Sequence, residues 1–232
     1  MRTVFTQRDF VARMAETLSE EINEQNPSSD QLLRYFRSFS NDSQAAINAY
    51  EDYASLYHIH VGQSSDPNAT VTYPGGAGIG TCDNFSEVLA RSVENGMHVI
   101  DCRGFAVMAV ILLREAGFRS PQYMIAVPPS ATQPGNWQGH IFVRLTHSSS
   151  GQVIYVGNNH VHDSPAGAVE GLAGWSPDDE VNVLYGIGDT YQESVEHADE
   201  IVQRRHDAPL SDVRVIDPLR GRHTFSPPVR EE

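Results

Sequence analysis

At 232 residues the chain can form one well-packed domain with appendages or two small ones, and 40 % hydrophobic residues with 9 % aromatics place it above the composition of a disordered chain. Its formal charge of −14 at pH 7 repels phosphate backbones, and Arg204–Arg205 is the only basic cluster, so nucleic acid is excluded as an expected partner. The longest apolar run, Phe105 to Leu113, is far shorter than the roughly 20 residues that cross a bilayer, so no membrane insertion is expected.

The N-terminus lacks the apolar centre of a secretory signal, so the expectation is a soluble protein, cytoplasmic or exported by a route without a readable signal peptide. All 16 basic residues are Arg. Two readings of that fact stay open: a genome rich in Arg codons, or avoidance of lysine by a protein that meets amine-modifying machinery. Two cysteines, Cys82 and Cys102, are too few for a disulfide framework and are read as thiols.

In chain order, Phe10, Val11, Met14, Leu18 and Ile22 recur at three- and four-residue steps and predict a helix over 8–25, ended by the Asn26–Asp30 cluster. Ser29 or Asp30 caps a second helix carrying Leu32, Leu33, Tyr35 and Phe36. A third covers 43–57, with Ala46, Ile47, Tyr50 and Tyr53 inward. Residues 61–80, rich in Gly, Ser, Pro and Asn, form a loop. They contain neither GxGxxG nor a P-loop pattern, so phosphate binding is not expected. Asn84 and Glu87 form a capping box for a helix over 84–94, stopped by Gly96. A short segment, Met97–Asp101, leads to a helix over 102–116 that is apolar on every face through Phe105–Leu113, hence buried all round, and is stopped by Gly117. Strands follow at 123–127, 140–145, 153–156 and 181–185, with Ser148–Gly151 as the turn of a hairpin, then a helix over 190–205 and an irregular tail.

Chemistry concentrates where the buried helix begins. Cys102 lies at its N-terminus, where the helix dipole and unpaired amides favour a thiolate and can hold an oxyanion. His140 opens the first strand of the hairpin. With the turn centred near 149–150, it lies opposite Asn158 or Asn159 on the partner strand, and either amide oxygen can fix its tautomer. Cys82, ahead of the 84–94 helix, is the rival nucleophile. Asp163 is a weaker candidate for the orienting role.

The segment Ile100-Asp-Cys-Arg-Gly-Phe-Ala-Val-Met-Ala-Val-Ile-Leu-Leu-Arg-Glu-Ala-Gly117, after the helix with Glu87-Val-Leu-Ala-Arg91, resembles the nucleophile segment of the transglutaminase-like superfamily. Gly139-His-Ile-Phe-Val-Arg144 is similar to its histidine strand, and Val153-Ile-Tyr-Val-Gly-Asn158 to the strand delivering the third triad member. The likeness covers about residues 84–160. It implies an α+β fold, a papain-like or transglutaminase-like core in which a central buried helix packs on an antiparallel sheet. That core spans 61–190, between a helical N-terminal lobe at 1–60 and a C-terminal helix and tail at 191–232. It implies a Cys102–His140–Asn158 triad, with Asp101, Arg103, Trp137 and Asn159 as oxyanion or substrate contacts, and no cofactor or metal. The superfamily includes proteases, deamidases, acyl-transferring cross-linkers, bacterial effectors and inactive members, so the implied substrate is a peptide or protein. Asn where the superfamily usually has Asp matches the Cys–His–Asn chemistry of papain-like enzymes.

Two other classes compete. His58-Ile-His60 and His160-Val-His162 each place two imidazoles on one strand face and, with Asp163, offer ligands to a divalent cation. A degenerate enzyme fold serving as a binding module is the other.

Overall fold

The computed structural model describes residues 5–23, 27–59, 93–94, 97–100, 102–133, 139–172, 175 and 183–207. Helix α1 (Gln7–Leu18) opens on a capping box between Thr6 and Asp9, and ends at Ser19 in the left-handed region, φ 54°. It therefore stops well before residue 25. The reason is tertiary: the Glu20 carboxylate accepts hydrogen bonds from Arg34 at 2.7 and 3.1 Å and from Gln31 at 3.2 Å, turning the chain back along α2. Helix α2 (Ser29–Arg37) is capped by Ser28 with Gln31 reaching back, one residue earlier than Ser29. Asp42 caps α3 (Ser43–Ala54), which ends short of the expected residue 57 because Tyr57 opens strand β1 (Tyr57–Ile59).

Strand β2 (Val93–Glu94) and strand β3 (Met97–Ile100) complete a small sheet, with β3 parallel to β1 and antiparallel to β2. The predicted 84–94 helix is thus corrected at its last two residues, which are strand; the rest of it lies outside the described residues, as do the 61–80 loop, the end of the expected 181–185 strand nearest Val181, and the tail from 208. Parallel pairing of such short segments satisfies their backbone groups locally but leaves no alternation for sequence to reveal.

Helix α4 (Cys102–Glu115) is the centre of the molecule. Phe105, Met108, Ala109, Leu112 and Leu113 have no exposed surface, whereas Val110 and Ile111 are half-buried and Arg114 exposed. Each large side chain sealed in this way contributes about 1.5–3 kcal/mol of transfer free energy. The chain leaves α4 through Gly117 at φ 93°, where an added Cβ would stand 2.9 Å from the Ser40 carbonyl oxygen.

A five-stranded sheet follows, ordered β7-β6-β5-β4-β8 with every neighbouring pair antiparallel. Its strands are β4 (Phe118–Val127), β5 (His140–His147), β6 (Val153–Gly157), β7 (His160–His162) and β8 (Leu184–Gly188). The first half of β4 was masked from pattern reading by an irregular register between Arg119 and Gln122, where Ser120 has φ 53° and Pro121 donates no hydrogen bond. Helix α5 (Tyr191–Asp207) packs on β8 and β4.

The two faces of the sheet have different covers. Val143, Leu145, Ile154 and Val156 meet α4 and the N-terminal helices in one hydrophobic cluster. Ile125, Val127 and Ile141 meet Ala106 of α4 and Ala198, Ile201 and Val202 of α5. On the reverse face Met124, Ala126, Phe142 and Tyr155 pack beneath Ala168 and Val169, which belong to a 3-10 turn (Gly167–Val169). The protein is therefore α+β, with a central helix laid on an antiparallel sheet. None of its described helices is long and apolar enough to cross a membrane.

Candidate functional site

Cys102 is the first residue of α4, and the apolar run behind it anchors that end of the helix in the core. Its side chain is half-buried and packs against the cluster that contains Ala106, one turn along, and Ile141 and Ile125 of the sheet. The positive end of the helix favours a thiolate at this position.

His140 begins β5 at the same end of the sheet, and it is 6 % exposed. Its direction differs from the sequence expectation. Alternation along a strand sends neighbours to opposite faces, and Ile141 points into the Cys102 cluster. The His140 ring accordingly lies on the reverse face, stacked on Phe142 with centroids 6.2 Å apart and planes 18° from parallel. Burial, with a smaller contribution from His162, lowers its pKa to about 4, so the imidazole is neutral at neutral pH. Its Nε2 is buried and has no hydrogen-bond partner among the described residues.

The hairpin register pairs Val143 with Val156, which does centre the turn at 149–150. The partner strand nevertheless ends before reaching the level of His140. Gly157 pairs with His160, and Asn158–Asn159 form the tight turn between β6 and β7. Asn158 adopts φ 53°, a conformation its short polar side chain tolerates better than most. Its Oδ1 is also buried without a partner among the described residues. Its backbone carbonyl accepts a hydrogen bond from the Tyr50 hydroxyl at 3.1 Å, and the same hydroxyl lies 3.3 Å from the Phe105 carbonyl in the first turn of α4. Asn158 is thereby tied to the Cys102 helix.

Arg103 is half-buried beside Cys102, and Asn159 is half-buried beside Asn158. Asp101, Trp137 and Cys82 lie outside the described residues. Asp163 is exposed beyond β7.

The histidine pairs divide. His160 and His162 share a face of β7, with ring centroids 6.4 Å apart and His160 Nδ1 3.9 Å from Glu51. His58 takes part in β1 through its backbone, and His60 lies outside the described residues. Among the described residues no three His, Cys, Asp or Glu side chains are grouped to hold a metal ion.

Sequence reasoning placed Tyr50 in the core but missed its hydroxyl, and missed Glu51, whose carboxylate accepts the Val161 amide at 2.9 Å. A tyrosine at a position where phenylalanine would fill the same space was the available signal. Arg205 was missed as well. It is 6 % exposed on α5 and donates to the carbonyls of Pro128 and Val127, holding the end of β4.

No protein-family model, no curated protein and no solved structure matches this chain.

Proposed function

We propose that the chain is a cysteine-dependent amide-bond enzyme acting on a peptide or protein, with Cys102 as nucleophile, His140 as acid–base group and Asn158 as its orienting partner. The observation that supports this reading is that His140 Nε2, able to donate, and Asn158 Oδ1, able to accept, are both buried without a partner among the described residues, on the strands and turn next to the Cys102 helix. Leaving such groups buried and unpaired costs about 1–3 kcal/mol each, which marks both side chains as groups that packing alone does not explain.

In the proposed reaction neutral His140 takes the proton of the Cys102 thiol and the sulfur attacks a carboxamide or peptide carbonyl, forming a C–S bond and an oxyanion at the N-terminus of α4. The C–N bond breaks as His140 delivers its proton to the leaving amine. Water, or an acceptor amine, then attacks the thioester carbon and gives a proton to His140, which passes it to the sulfur as the C–S bond breaks and the thiol is regenerated. The final acceptor decides between protease, glutamine deamidase and acyltransferase.

Incubation with candidate proteins followed by intact-mass measurement tests this. A small mass gain marks deamidation, fragments mark proteolysis and adducts mark transfer. Cys102→Ala is expected to abolish the change while preserving the fold; an undiminished change in that variant overturns the proposal.

The burial of His140 on the reverse face of the sheet favours a second reading, a binding module of the same architecture without turnover, because Ile141 is the residue of β5 that packs with Cys102. That reading predicts a stable complex with a partner, unaffected by Cys102→Ala, and no covalent change in any substrate.

A further inference from the structure

We infer that Tyr50 and Glu51, adjacent on α3, are positioning residues that hold the turn bearing Asn158 against the first turn of the Cys102 helix; the inference rests on the cysteine-enzyme reading above. Tyr50 has no exposed surface. Its hydroxyl lies between two backbone carbonyls from parts of the chain distant in sequence, Phe105 at 3.3 Å and Asn158 at 3.1 Å. One proton serves both oxygens, so the bond couples the helix to the turn instead of fixing either alone.

Glu51 grips the other side of the same hairpin. Its carboxylate accepts from the Val161 amide at 2.9 Å and stands 3.9 Å from His160 Nδ1. At the opposite end of α3 the Ser43 hydroxyl bonds the Gln152 side chain at 2.6 Å, so the helix is fastened near both ends of β6.

A purely packing role does not call for this chemistry. Phenylalanine at position 50 fills the same volume and carries no hydroxyl whose burial must be offset by bonds. The polar contacts concentrate where the nucleophile helix approaches Asn158, and the geometry there matters because a displacement of about 1 Å in a reacting group can cost about 100-fold in rate.

The test joins amide hydrogen exchange of residues 157–161 with the rate of Cys102 alkylation at pH 6, followed by peptide mapping. In Tyr50→Phe the turn is expected to exchange faster and Cys102 to alkylate about tenfold more slowly, in the range typical of lost supporting groups, with circular dichroism unchanged. Glu51→Ala is expected to do the same, whereas Glu51→Gln keeps an acceptor oxygen for the Val161 amide and restores the wild-type rate. These two variants supply the answer if Tyr50→Phe fails to fold. Wild-type alkylation rates in folded Tyr50→Phe and Glu51→Ala overturn the inference while leaving the enzyme reading intact. A wild-type Cys102 no faster than an ordinary thiol overturns the enzyme reading and this inference with it.

Discussion

A histidine sealed against Phe142 is a liability in acid, and the sign of its effect follows from linkage. The pKa of His140 falls from the ordinary 6.5 to about 4 on folding, chiefly because burial disfavours the charged ring. Between these values the unfolded chain binds the proton and the folded chain does not. Stability from this group is therefore complete above about pH 6.5 and is lost as pH falls toward 4, a difference of about 3 kcal/mol. Urea denaturation at pH 7 and pH 4 is expected to show a smaller loss in His140→Gln by about that amount; identical losses would mean that the ring does not titrate as placed. Sequence identified the residue but could not assign its face. In His-Ile-Phe-Val-Arg-Leu the neighbours of His140 are apolar on both faces of a strand covered on both sides, so no alternation distinguishes them. The partners of the Tyr50 hydroxyl were illegible for a related reason: the two carbonyls it meets, at Phe105 and Asn158, are distant from it in sequence.

Helices with strong apolar stripes were legible, as were the hairpin of β5 and β6 and the stop at Gly117, because each is written in local residue chemistry, whereas the caps at Thr6 and Ser28 were not read. What escaped were features set by distant contacts: the early end of α1 at the Glu20–Arg34 pair, the parallel β1–β3 pairing, and the two-residue turn that removes Asn158 from the strand. The packing of α5 on β8 is of the same kind, and it makes a strong prediction. Gly186 and Gly188 let the helix backbone approach the strand: a Cβ at 186 would lie 2.5 Å from the Ser194 carbonyl oxygen and 2.6 Å from the Ala198 amide nitrogen. Backbone cannot yield as a flexible side chain does, so Gly186→Ala is expected to destabilise by about 3 kcal/mol in urea denaturation. A change under about 0.5 kcal/mol, the size usual at a surface site, would contradict this contact.

At the scale of the whole molecule, the three N-terminal helices do not carry a core of their own. Phe10, Met14, Phe36 and Tyr50 join Phe105, Leu112, Val143 and Ile154 in a single buried cluster. Phe36→Ala, far from the proposed nucleophile, is therefore expected to lower one shared unfolding transition by about 3–5 kcal/mol, monitored in parallel by fluorescence and circular dichroism. Two separated transitions would show the helices to be independent. The same continuity lets α3 bear on the first turn of α4 and on the turn at Asn158, so the reactivity of the Cys102 sulfur reports on that arrangement. The direct measurement is the rate of iodoacetamide alkylation of Cys102 against pH, in a Cys82→Ala background that leaves one thiol. The account predicts a rate already near its plateau at pH 6, as for a thiolate stabilised by the helix terminus. A rate that rises only around the ordinary thiol pKa of about 8.5 would contradict it.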